Sequence, residues 1–118
     1  MIEIKKYMFN PFQENTYLMW DIDTGEAIIV DPGCSDQKEE KIIRDFILQN
    51  DLKLKYLINT HCHIDHVFGN KFIKDTFKVP FYAPELDVPL LTNMSDQAQM
   101  FGLNVNLSPL PDHYITED

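Results

Sequence analysis

The sequence predicts an α/β domain, in which a meander of antiparallel strands leads into parallel strand–helix–strand units with the helices packed on one side of a mixed sheet. Three observations carry this. Residues 1–30 hold apolar, β-branched and aromatic runs separated by turn residues. Ile42, Ile43, Phe46 and Ile47 then fall at helical spacing among charged neighbours. Beyond them, short apolar runs alternate with helical stretches, the order that gives parallel pairing.

Ile2 and Ile4, then residues 7–9, predict the first strand, and residues 15–22 (NTYLMWDI) the second. Asp23, Thr24 and Gly25 are turn residues. Residues 26–30 follow as a third strand, closed by Asp31, Pro32 and Gly33. Asp36 stands three residues before Glu39, a capping-box spacing, so a helix begins there and ends near Asn50. Residues 54–59 predict a fourth strand. A second helix runs from His66 or Val67 to Phe77, and residues 79–83 form another strand. Residues 85–91 and 95–101 suggest short helices, with Pro89 opposing a continuous one. The tail, SPLPDHYITED, reads as exposed connection.

Charge and composition narrow the function. The chain has 118 residues and a formal net charge of −9, so phosphate backbones are repelled and nucleic acid is not an expected partner. No apolar run approaches the ~20 residues of a membrane span, and MIEIKKYMFNPF lacks the continuous apolar segment of a signal peptide. Cys34 and Cys62 are too few for a disulfide framework, and a reduced, cytoplasmic protein is the expectation.

The chemistry concentrates in residues 60–66, THCHIDH, which hold three of the four histidines. Read as an extended segment, His61, His63 and Asp65 face one way, and Cys62 and Ile64 the other. Imidazole nitrogens with a carboxylate are ligands for zinc and similar metals. The stretch follows a predicted strand, at the strand end where ligands sit in such sheets. A turn would bring His66 to the same pocket, which suits two metals: His61 and His63 for the first, Asp65 and His66 for the second. Between two metals a water loses its proton near neutral pH and becomes a nucleophile. The bland alternative, a chance cluster of solvated histidines, does not account for the agreement of spacing, strand end and strand–helix–strand context.

THCHIDH resembles the His-x-His-x-Asp-His signature of the metallo-β-lactamase superfamily. Residues 15–17 (NTY) opening a strand, residues 28–33 (IIVDPG), a helix, and then LINTHCHIDH resemble the amino-terminal half of that αββα sandwich. FQENTY and the aspartate-proline-glycine turn look most like the glyoxalase II-like (hydroxyacylglutathione hydrolase-like) branch, which hydrolyses thioesters. His66 is similar to the dinuclear branches with a histidine on the second metal, and His63 departs from the flavodiiron pattern, which has a glutamate there. The resemblance implies two zinc ions in a complete site, with iron as the alternative metal. Asp65 would hold the second metal and orient the nucleophile. Asp31 would act behind the ligands or anchor its loop; its plainer reading is a turn-forming aspartate.

The superfamily's second half, with a further histidine for the first metal, a bridging aspartate and a last histidine, is not visible here. His113 lacks the glycine-histidine context and reads as a solvated tail residue. Residues 1–118 are therefore expected to be one partial domain. The expected function is metal-dependent hydrolysis of a small-molecule thioester. Iron-dependent persulfide dioxygenase chemistry and a non-catalytic metal-binding or assembly module are the alternatives. The expected partner is a second copy or a carboxy-terminal half, because without one the sheet's other face meets water; Leu18, Trp20, Ile28 and Val30 are the candidates for that face. Cys62 and Cys34 read as buried thiols, Trp20, Phe9 and Tyr17 as core, and Met94, Met100 and Phe101 as core or interface. Gly69 is read as either a close-packing position or a tolerated helix glycine.

Overall fold

The computed structural model describes residues 1–115. Six strands form one sheet in sequence order: β1 (Ile2–Phe9), β2 (Glu14–Asp21), β3 (Glu26–Val30), β4 (Lys53–Ile58), β5 (Phe81–Pro84) and β6 (His113–Ile115). β1, β2 and β3 pair antiparallel, and β3 through β6 pair parallel. The helices are α1 (Gln37–Gln49), α2 (Ile64–Val67), α3 (Asn70–Phe77), α4 (Val88–Thr92) and α5 (Met94–Met100). This is the mixed α/β architecture that the sequence predicts.

Local chemistry explains the boundaries. The turn between β2 and β3 needs the left-handed φ of +74° that Gly25 supplies. Asp36 caps α1, its Oδ1 accepting the Glu39 N–H at 2.8 Å. The return half of the capping box goes elsewhere. Glu39 accepts from the N–H groups of Ser35 and of Asn10, both at 2.8 Å, and so ties the helix start to the β1–β2 turn. Pro89 sits in the first turn of α4, where its missing N–H costs nothing.

Two expectations are corrected. The helix expected from His66 or Val67 to Phe77 begins at Ile64 and breaks into α2 and α3 at Gly69. There the chain presses on the loop after β3: Gly69 N–H donates to Pro32 O at 2.8 Å, and a Cβ at Gly69 would lie 2.4 Å from Cys34 Sγ. The close-packing reading of Gly69 is the one that holds. The tail, expected as exposed connection, carries β6. Asp112 seeds it, its N–H donating to Phe81 O at 2.9 Å while its carboxylate accepts from Phe81 N–H at 2.8 Å and from the Lys74 ammonium. A three-residue edge strand is too short to stand out in sequence. Positions 116–118 of the tail lie outside the described residues.

The core lies on one side of the sheet. Leu18, Ile29, Leu57 and Phe81 share a face and are buried against Ile43 and Ile47 of α1 and Ile73 of α3. Of the four residues expected on the open face, Leu18 and Trp20 are instead on this helix side; Trp20 meets Phe46 of α1 edge-on at 5.5 Å. β2 is apolar on both faces, so its composition does not say which face the helix takes. Ile28 and Val30 are on the opposite face, beside Ile4, Met19, Tyr56, Ile58 and Tyr82. No helix among the described residues is long and apolar enough to cross a membrane.

Candidate metal centre

The centre is built at the carboxyl ends of β3 and β4. Asp31, the first residue past β3, has a left-handed φ of +53°, a strained conformation for a residue with a side chain. Its backbone N–H donates to Ile58 O at 2.8 Å, and its carboxylate takes hold of the neighbouring strand end. Oδ1 accepts the Thr60 N–H at 2.8 Å and Oδ2 accepts the Thr60 hydroxyl at 2.6 Å. Asp31 is thus both of the things its sequence position suggests, a turn former and the anchor of the motif. Behind it, Asn59 and Asn70 are fully buried and bond one another through their side-chain amides; Asn59 Nδ2 also reaches His66 O at 3.4 Å.

One of these bonds bears on the tautomer of His61. The Thr60 hydroxyl has one proton, which goes to Asp31, so Thr60 Oγ1 accepts from His61 Nδ1 at 3.0 Å. His66 Nδ1 is buried with Asp31 Oδ2 at 3.2 Å and Glu14 Oε2 at 3.9 Å, although no well-directed bond forms. The two Nε2 atoms, of His61 and of His66, are 3.1 Å apart, at hydrogen-bonding distance. So close an approach needs a proton on one of the two nitrogens or metal bound in its place.

The surroundings favour a cation as well. The histidines open onto a cleft of about 420 Å3 lined by Phe12, Glu14, Tyr17, Val30 and Asp31, and no Lys or Arg lines it. Glu14 is pushed up to about 8, by burial first and then by the charges of Asp31, Asp65 and Glu39, against a lowering bond from Thr16, so a cation in the cleft would favour release of its proton. The His61 pKa is lowered, chiefly by burial and next by His66, which keeps the ring in its metal-binding neutral form. The donor set of imidazole nitrogen and carboxylate oxygen fits zinc or iron.

Asp31, His61 and His66 bring ligand atoms within 4.8 Å of one another. Asp65 Oδ2 lies 3.5 Å from His66 Nε2. The exposed His63 is more peripheral, its ring 4.7 Å from that of His61 and 6.4 Å from that of His66, centroid to centroid. The extended reading of the motif is corrected: α2 starts at Ile64, so Asp65 arrives by a helical turn rather than by strand alternation. Cys62 and Ile64 do point inward and are buried. Burial pushes the Cys62 thiol up to about 12 and raises that of Cys34 as well, as suits packed thiols. Tyr17, expected in the core, is half-buried in the wall of the cleft. Met94 is core, whereas Met100 and Phe101 are exposed. His113 stacks on Tyr82 at 4.7 Å and is not in the cluster.

Sequence reasoning missed Glu14, Thr60 and Asn10. For Glu14 a signal existed, since it shares the inward parity of Thr16 and Leu18 in β2. For Thr60, substitution by Val tests its bridge between Asp31 and His61. Thr60→Val is expected to lower zinc affinity about 10–100-fold, the usual effect of losing a partner behind a metal ligand. Competition against a chromophoric chelator checks it.

A family model described as the metallo-beta-lactamase superfamily matches residues 9–115, nearly the whole chain and all of the centre just described. The chain belongs to the metallo-beta-lactamase superfamily. A hydroxyacylglutathione hydrolase, GloC, of Haemophilus influenzae is 38% identical over 108 residues, which are 91% of this chain and 49% of that protein. The mitochondrial persulfide dioxygenase ETHE1 of Bos taurus is 32% identical over 71 residues, 58% of this chain and 26% of that one. The crystal structure of TTHA1623 in a di-iron-bound form superposes with a TM-score of 0.81 at 26% identity, covering 96% of this chain and 54% of that one. The superfamily chain thus spans about half the length of its hydroxyacylglutathione hydrolase relative. Membership implies a divalent-metal site, and the His61–His66 cluster is where ligand atoms of that kind converge among the described residues.

Proposed function

We propose that this chain carries the metal-holding part of a hydrolase that cleaves thioesters, adding water to release a carboxylic acid and a free thiol. The observation that carries the reading is the convergence of ligand atoms from Asp31, His61 and His66 within 4.8 Å, with the two imidazole Nε2 atoms 3.1 Å apart, in a cleft lined by acidic residues and by no Lys or Arg. The 38% identity to a hydroxyacylglutathione hydrolase supports the thioester class.

In this reading His61 and His63 would hold one zinc, and Asp65 and His66 the other. Bound zinc would lower the pKa of a water and polarise the thioester carbonyl. The chain's own residues do the rest. Thr60 holds Nδ1 of His61, which leaves Nε2 of that ring free to coordinate, and Asp31 stands 3.2 Å from Nδ1 of His66. Asp65, 3.5 Å from His66 Nε2, would help to orient the attacking water. Four ligands from one strand end make an incomplete shell, so turnover by the 118 residues alone falls well below the roughly 1–1000 s⁻¹ of ordinary enzymes.

The test is thiol release from S-lactoylglutathione by the chain loaded with zinc or with iron, with oxygen uptake on a glutathione persulfide measured in parallel. Slow, chelator-sensitive thiol release is expected. Iron-dependent oxygen uptake without thiol release would establish instead the dioxygenase reading, which the ETHE1 similarity supports. Retained metal with neither reaction would leave a non-catalytic binding module.

A further inference from the structure

We infer that Asn10 is a positioning residue of the metal centre, its carboxamide clamping the β1–β2 turn to the Asp65 carbonyl and to the aspartate-proline-glycine loop. The inference rests on the metal-centre reading above. Asn10 Nδ2 donates to Asp65 O at 2.9 Å and to Gly33 O at 3.0 Å, while Oδ1 accepts the Phe12 N–H at 2.9 Å. The amide orientation is set by this network. Reversed, its oxygen would face two carbonyl oxygens and its NH2 would face an N–H.

The reason Asp65 needs this donor lies in the break between α2 and α3. In an unbroken helix the Asp65 carbonyl would accept from the N–H four residues on, that of Gly69. That N–H donates instead to Pro32 O at 2.8 Å. The break that seats Gly69 against Cys34 therefore takes away the Asp65 carbonyl's helical partner, and Asn10, 55 positions earlier, supplies another. Asp65 and His66 are the first-turn residues whose side chains reach the centre, so the bond fixes the base from which both project.

The packing leaves little freedom around the clamp. A Cβ on Gly33 would lie 2.8 Å from Asn10 Nδ2, 2.8 Å from Asp65 O and 2.6 Å from Glu14 Oε1. Asn10 itself has a φ of +58°, a conformation that Asn and Gly adopt most readily, and Glu39 holds its backbone N–H at 2.8 Å. Asn at this position thus satisfies the turn and the clamp together. No other residue type offers two amide protons on so short a side chain.

The experiment compares the full chain with Asn10→Asp and Asn10→Gly. Asp keeps the shape and the Phe12 contact but turns a carboxylate oxygen toward the two carbonyls. Gly tolerates the backbone conformation and removes the side chain. Cobalt(II) serves as the probe, read by its visible absorption and by competition with a chelator; far-UV circular dichroism and thermal unfolding report the fold. The expected result is about a 10–100-fold loss of cobalt affinity with an altered cobalt spectrum, in variants that keep the parent's far-UV spectrum. Parent-like affinity and spectrum in both folded variants would overturn the inference. So would a lowered melting temperature with an unchanged cobalt spectrum, or failure of both variants to fold, since Asn10 would then serve the fold alone. A parent chain that takes up no cobalt is a different failure, which removes the metal-centre reading and the inference with it.

Discussion

Replacing His61 and His63 together by Ala is expected to lower zinc affinity by more than about 100-fold, beyond the range usual for residues that only support ligands. His61 contributes one of the two facing Nε2 atoms, and His63 is its neighbour across a 4.7 Å ring contact. Neither belongs to the apolar core, so the double variant opens no cavity there and should keep its fold. Chelator competition with circular dichroism decides the matter. A double variant that binds zinc as tightly as the parent would mean that the ligands lie elsewhere.

The chain alone is also expected to run larger than a monomer at micromolar concentration. The face away from the helices carries Ile4, Met19, Ile28, Tyr56, Ile58 and Tyr82, with Ile4 61% and Tyr56 43% exposed. Six strands ~4.8 Å apart, with about six residues each at ~3.3 Å, span on the order of 600 Å2, of which the apolar stretch is the part between Lys6, Asp21 and Glu26. Contiguous apolar patches beyond a few hundred Å2 are uncommon on soluble monomers, and a stable interface takes about 800 Å2 from each partner. A second copy laid face to face would come close to that figure. The same face runs into the metal cleft through Tyr17 and Val30, so whatever covers it also walls the centre. Light scattering coupled to size exclusion is the check. A clean monomer with weak binding of an apolar dye would show that the face is tolerated bare.

Much of this was legible in the sequence, for physical reasons. The β-branched run at Ile28, Ile29 and Val30, the Asp36–Glu39 cap and the spacing of Ile43 and Ile47 in α1 are local signals, and local signals survive folding. THCHIDH announces its chemistry because few other roles place three imidazoles so close together. What stayed hidden depends on contacts distant in sequence. The break at Gly69 exists because Pro32 and Cys34 press on it. β6 exists because Asp112 bonds to Phe81 and Lys74. Leu18 and Trp20 went to the helix side because α1 chose between two apolar faces of β2. The Asn10 clamp joins residues 55 positions apart and leaves no periodicity to read.

The central claim is that the strand-end cluster around His61 and His66 is a metal centre. Its most direct test is equilibrium dialysis of the purified chain against zinc at neutral pH, followed by elemental analysis of the retained metal. The account predicts zinc retained in stoichiometric amounts by the parent and lost from the variant without His61 and His63. A parent chain that dialyses free of zinc, and of iron in a parallel experiment, would contradict it.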